Sequence, residues 1–303
     1  TIGGTTAAAR NLISGNDLSG MLIIGANSNT ILGNYIGTDV TGASDRRNTQ
    51  SGIVVAGASS GTTIGGTASG AGNVISGNGT AGIALSGVGV TNTLIQGNRI
   101  GTNPGGTGVV PNVTHGVQIT DGSFGNTIGG TVAGSGNVIS GNLSGIFVKG
   151  GGSNQVLGNR IGTDVTGTVD LGNRGNGIQI DSSSTGNTVG GLVAGAGNVI
   201  SGNNAVGVAL SGSGTQNNVV LGNWIGTSAS GGADLGNTSF GVLISGAVNN
   251  VVGGTVSGAS NVISGNDNMG AVIAGATATG NRVEGNRIGT DAGGTVDLGN
   301  SLH

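Results

Sequence analysis

Cysteine is absent from this 303-residue chain, proline occurs twice, and aromatic residues make up 2% of it. Without cysteine there is no disulfide, no thiolate metal site and no cysteine nucleophile. Scarce proline and the lack of any Gly-X-Y period exclude collagen, despite 71 glycines. Charge is scarce as well: 7% of residues are charged and the formal net charge is −3. A nucleic-acid surface asks for a basic stripe, so no nucleic-acid partner is expected. No apolar run approaches the ~20 residues that span a bilayer. Disordered chains pair low hydrophobicity with high charge; here 35% of residues are apolar and charge is low.

What remains is glycine, asparagine, threonine, serine and β-branched aliphatics, a composition that suits short strands joined by tight turns. The order of these residues is periodic. Ile2-Gly3-Gly4-Thr5 recurs from Ile64 and Ile128, with weaker copies from Val189 and Val252, at steps of 62, 64, 61 and 63 residues. Within that unit runs a shorter beat. A Gly-apolar-x-apolar strand begins at Gly20, Gly52, Gly82, Gly116, Gly145, Gly177, Gly207, Gly241 and Gly270. The gaps of 32, 30, 34 and 29 residues occur twice in that order, as a duplicated four-coil block would give.

A few residues before each strand stands an asparagine: Asn16, Asn48, Asn78, Asn112, Asn142, Asn173, Asn203, Asn237 and Asn266, with Asn300 following. Stacked at ~4.8 Å, identical amides can bond up and down the pile. No coil of about 31 residues can bury its own apolar face, but a stack of coils can. The expectation is an all-β, right-handed, single-stranded parallel β-helix of about ten coils with an internal Asn ladder. It forms one domain over 1–303, about 50 Å long at the inter-strand spacing. Each coil reads as up to three strands, with the run Asn154 to Thr163 taken as one of them. The chain opens and closes within a repeat, which suggests a segment of a longer repeat protein. Neighbouring coils or end-to-end self-association would then cover the terminal strand edges.

The motifs Gly-Asn-Val-Ile-Ser-Gly-Asn (72–78, 136–142, 197–203) and Gly-Asn-Arg-Ile-Gly-Thr (97–102, 158–163, 285–290), with the Asn ladder, resemble right-handed parallel β-helix proteins of the pectin-lyase-like superfamily. The resemblance covers essentially the whole chain and is specific for fold. It implies polysaccharide lyases, hydrolases and epimerases, phage tailspikes, or long bacterial surface proteins. The Gly/Asn-rich repeats are most similar in character to the last group.

Three sets of residues are candidates for function. Tyr35, Arg99, Arg160, Trp224 and Arg287 share one place in Gly-Asn-x-Ile-Gly-Thr. They predict an outward row spaced by two coils, suited to stacking on and charging against a sugar chain; a plain solvated row is the alternative. Asp39, Asp164 and Asp291, with Asp170, Asp234 and Asp297, form a carboxylate column. Ca²⁺ is the cofactor such a column raises, but its spacing lacks the Ca²⁺-binding nonapeptide and aspartate is an ordinary turn residue. The third set lies where the repeat breaks: Gln118, Thr120 and Asp121, then Phe147 and Lys149, then Gln179 and Asp181, with His115 and Arg174 just before two of those strands. Lys149, Asp181, His115 and Arg174 could abstract a proton α to a sugar carboxylate and neutralise the acid group, as lyases and epimerases require. A lone cross-strand ion pair is the alternative.

The sequence therefore favours a non-catalytic, rod-like segment of a secreted or cell-surface protein, structural or adhesive and open to glycan binding. The competing reading is a polysaccharide-acting enzyme (lyase, epimerase or hydrolase) with its site on the outer mid-rod face.

Overall fold

A computed structural model describes residues 1–301. The chain winds as a parallel β-solenoid whose strands build three sheets of ten, ten and nine strands. No α-helix occurs among the described residues; one 3-10 turn spans Ala7–Ala9. Sheet A collects three-residue strands such as Leu94–Gln96 and Thr127–Gly129. Sheet B collects two-residue strands such as Arg99–Ile100 and Val138–Ile139. Sheet C collects longer ones, including His115–Thr120 and Ser144–Lys149. Every pairing is parallel, and each coil lies in register over the next: Ile119 beside Val148, Val148 beside Ile180.

The core is a set of aliphatic stacks. Ile36, Ile75, Ile100, Ile139, Ile161, Ile200, Ile225 and Ile263 have no exposed surface and form one column under sheet B. Sheet C alternates buried and half-exposed positions, Ile178 and Ile180 inward, Gln179 and Asp181 outward, as a period of two requires. The glycine that opens each sheet C strand is dictated by packing. At Gly116 a Cβ would stand 2.4 Å from Ile139 Cγ2, so the strand reaches this close to the isoleucine stack through glycine alone.

The run from Asn154 to Thr163 is two strands: Gln155–Leu157 in sheet A and Arg160–Ile161 in sheet B. The corner between them is Gly158, at φ +65°, followed by the buried Asn159. The left-handed glycine lets the chain turn within two residues. The loops after Gly-Thr form no sheet of their own; each closes on itself through one antiparallel bridge, as in Thr163 with Asp170.

Asparagine ladders stand at all three corners. The B–C corner holds the expected ladder from Asn16 to Asn300, with Nδ2-to-Oδ1 distances of 2.7 to 3.2 Å. A second, from Asn11 through Asn98 and Asn159 to Asn286, fills the A–B corner at 2.8 to 3.1 Å. A third joins Asn126, Asn154, Asn187, Asn218, Asn250 and Asn281 at the C–A corner. Asn142 shows how such a site satisfies itself. Its Oδ1 accepts from the Asn112 backbone and side chain, and its Nδ2 donates to Asn173 Oδ1 and Ile100 O. Buried amides without partners would cost ~1–3 kcal/mol each; no asparagine of the three ladders has a buried amide atom left unpaired, although Asn268 Oδ1, beside the B–C ladder, has no partner. The third ladder stops where threonine takes over, and the buried hydroxyls of Thr62 and Thr93 have no partner.

Candidate functional site

Two surfaces carry the residues singled out by sequence, one on sheet B and one on sheet C. On sheet B, Tyr35, Arg99, Arg160, Trp224 and Arg287 stand in line on the outer face. Val74, Val138, Val199 and Val262 fill the intervening coils. Equivalent side chains are thus two coils, or ~10 Å, apart.

Loops wall this row, because long and short connections alternate. In coils that carry a valine, the A–B connection is long, as in 66–73 before Val74. In coils that carry the long side chain it is tight, as in Gly97-Asn98 before Arg99, and the long loop follows on the B–C side. The result is a groove. One hollow of about 400 Å³ is lined by Arg10, Tyr35, Arg99 and Arg160, with Gly66–Gly72 and Gly134 on one side and Pro104 and Val165 on the other. A second, of about 190 Å³, shares Arg160 and continues to Trp224 and Ala229.

The side chains of the row lie against the groove walls. Trp224 packs on Gly197, where a Cβ would stand 2.8 Å from Cζ3. Gly106 approaches Arg99 Nε as closely, at 2.9 Å for the same hypothetical Cβ. The valines beneath are buried, Val138 to 2% exposure and Val199 to 5%. At the N-terminal end the Arg10 guanidinium sits 4.0 Å over the Tyr35 ring. Arg99 and Arg160 are half-buried, and the Nε of each is buried with no hydrogen-bond partner. Burial, and then the charge of Arg160, hold Arg99 below its ordinary guanidinium value. No carboxylate lines either hollow.

On sheet C the irregular coils come together in register. Gln118 lies beside Phe147 and Phe147 beside Gln179; Thr120 lies beside Lys149 and Lys149 beside Asp181. The His115 ring stacks on Phe147, with centroids 4.6 Å apart and planes inclined by 20°. His115 Nδ1 is buried without a partner, and so is Asp181 Oδ1. Burial lowers the His115 pKa more than the nearby Asp181 charge raises it, so the ring is biased towards the neutral form. Gln179 donates to Asp181 Oδ2 at 2.9 Å, and Asn176 donates to Gln179 at 3.2 Å. Asp121 accepts from Ser86 and Thr120, which, ahead of the Lys149 charge, hold its carboxyl below the usual range.

One expectation about this patch changes. Lys149 and Asp181 are neighbours in register but make no ion pair; the pairs among the described residues are Arg47–Asp45 and Arg282–Glu284. Lys149 is exposed and free of hydrogen bonds to protein groups. The Arg174 Nη2 donates to Val113 O at 3.0 Å, at the B–C corner two residues before His115. Neither hollow touches these residues.

The aspartate column serves the loops. Asp164 Oδ1 accepts from Thr168 and Val169 backbone N–H and from the Thr166 hydroxyl; Asp39 and Asp291 do the same in their own loops. Asp170, Asp234 and Asp297 each accept the N–H two residues on. Among the described residues no group of three or more His, Cys, Asp or Glu is placed to hold a metal. No described helix is long and apolar enough to cross a membrane.

Sequence reasoning found the row but missed its walls and Arg10. The signal was present: the Gly-Asn-Arg-Ile-Gly-Thr and Gly-Asn-Val-Ile-Ser-Gly-Asn motifs alternate, and the long loop changes sides with them. No family model and no curated sequence matches the chain. Among solved structures it is similar to the periplasmic alginate epimerase AlgG, at 16% identity and a TM-score of 0.43, over 91% of this chain and 50% of that one. It is also similar to the A-module of the mannuronan C-5 epimerase AlgE6 of Azotobacter vinelandii, at 19% identity and 0.26, over 78% and 61%. The chain therefore spans half of the first and about three fifths of the second. Likeness at this level carries no argument about activity, and the β-helical architecture stands on the chain's own strand register.

Proposed function

We propose that this chain is a β-helical scaffold that binds an acidic polysaccharide along the groove over sheet B. The observation that carries the reading is the line of Arg99 and Arg160, flanked by Tyr35 and Trp224, in a walled groove without a carboxylate. Guanidinium groups charge-pair with carboxylates or sulfates, and the aromatic rings offer faces to sugar rings. A groove running along a stack of coils suits an extended polymer better than a compact ligand. The reading implies a secreted or cell-surface setting, where such polymers are met, and an adhesive or structural role. Ile273, Val283 and Ile288, 47%, 37% and 41% exposed in the last described coil, are where further coils or a second copy would stack. Affinity electrophoresis against uronate polymers and a neutral glucan tests it. Retardation by the acidic polymers, reversed by salt, is expected; equal mobility in all of them sinks it.

A second reading, catalysis on the same polymer class, is favoured by one observation: His115 Nδ1 and Asp181 Oδ1 are both buried without partners, beside an exposed Lys149. Perturbed groups gathered on one face are a reason to look for proton transfer. Incubation with uronate polymers distinguishes it. New ultraviolet absorbance from an unsaturated product, or inversion at C5 seen by NMR, that disappears in Lys149→Ala and His115→Ala supports an enzyme.

A further inference from the structure

The groove has a period, and the period restricts the ligand. Its charged and aromatic side chains recur every second coil, ~10 Å apart, while the coils between contribute buried valines. A polymer lying along the stack meets a guanidinium at Arg99, a closed aliphatic floor at Val138, and a guanidinium again at Arg160. The two loop sets that form the walls repeat on the same two-coil beat. Arg99 and Arg160 also sense each other's charge across that gap, and no protein carboxylate relieves them within the hollow that they share.

We infer that the groove reads anionic groups on every second sugar of an extended chain, so that charge on the intervening sugars adds nothing. This deepens the proposed function and rests on it. The ligand class is a linear polysaccharide whose alternate residues turn the same face, and hence the same carboxylate or sulfate, towards the rod. Such a polymer supplies one anion to Arg99 and the next to Arg160. The sugar between the two anions rests over Val138, where it needs only its ring surface. Tyr35 and Trp224 lie at the same two-coil step on either side of the two arginines and take the faces of the flanking sugars.

The test compares three polymers by calorimetry: a β-1,4-linked homopolymer of uronate, a polymer alternating a uronate with an uncharged sugar, and a neutral β-glucan. The two acidic polymers are expected to bind within about threefold of one another per disaccharide, and the glucan at least tenfold more weakly. Arg99→Gln and Arg160→Gln should each weaken both acidic polymers by the same factor, about tenfold (~1.4 kcal/mol). Thermal melting of each variant controls for folding. A homopolymer that binds ten times tighter than the alternating polymer, or an arginine variant that affects the homopolymer alone, overturns the two-coil reading while leaving glycan binding intact. Equal failure of both acidic polymers to bind the folded wild type overturns the groove itself.

Discussion

The outer faces of sheets B and C are made in the same way, by in-register stacking, yet they differ in kind. Sheet B repeats its long side chains every second coil and is walled by loops on both sides. Sheet C breaks its pattern once, over three adjacent coils, on a face that neither hollow reaches. Repetition with walls makes a track that a polymer can follow. A single break makes a local patch, in which His115 Nδ1 and Asp181 Oδ1 are buried without partners. The difference lies in the connections. Sheet B is bordered by two loop sets that alternate in length, whereas sheet C ends in compact corners such as 121–126.

The largest effect should come from removing what both faces stand on. Asn142→Ala leaves the Asn112 backbone N–H and side-chain amide without their Oδ1 acceptor and removes the Nδ2 donor to Asn173 Oδ1 and Ile100 O, while the backbone N–H of residue 142 still reaches Asn173 Oδ1. Several unsatisfied buried groups at ~1–3 kcal/mol each predict a loss of at least ~3 kcal/mol in urea unfolding. A milder loss would mean that water replaces the rungs.

The next effect separates the faces. Trp224→Ala should weaken acidic-polymer binding about tenfold, with the melting temperature little changed, because the C–H face of a sugar ring packed on the indole is taken to gain about what an aromatic pair does, ~0.5–1.5 kcal/mol. Lys149→Ala should leave that binding untouched. If the two variants behave alike, the comparison fails.

A smaller and opposite change is expected at the interrupted ladder. Thr93→Asn replaces an unpartnered hydroxyl with an amide whose backbone N–H already donates to Asn126 Oδ1. It should stabilise the chain by about 1 kcal/mol in the same unfolding assay, the net worth of a hydrogen bond. Destabilisation would show that the corner is too narrow there.

The smallest effect belongs to pH. Hydrogen bonds from the loops hold the Asp39 and Asp291 carboxyls below the ordinary aspartate value, from Thr41 first at Asp39 and from Val296 first at Asp291. A carboxylate with a depressed folded pKa contributes stability above its unfolded pKa, and that stability is lost as pH falls towards the folded value. Amide exchange in the B–C loops should therefore rise below the ordinary aspartate range while the ladders stay protected. On sheet C burial also lowers the His115 pKa, so in an NMR titration its ring should take up its proton at a lower pH than a free imidazole.

Much of the architecture was written in the residues themselves. Glycine, asparagine and aliphatics at fixed intervals require stacked coils, because one coil cannot bury its own face. The period also sets which residues stand over which, and so the row from Tyr35 to Arg287 and the adjacency of Thr120, Lys149 and Asp181. Two of the three ladders were less legible, since Asn98 or Asn154 inside an apolar run looks like part of a strand until the corner glycine is seen to take a left-handed φ or the chain is seen to turn. Tertiary structure alone decided the rest. Whether Lys149 meets Asp181, where Arg174 reaches, and whether a row of side chains lies open or in a groove depend on rotamers and loop paths. Those are set by contacts between coils that are distant in sequence, which a local pattern does not encode.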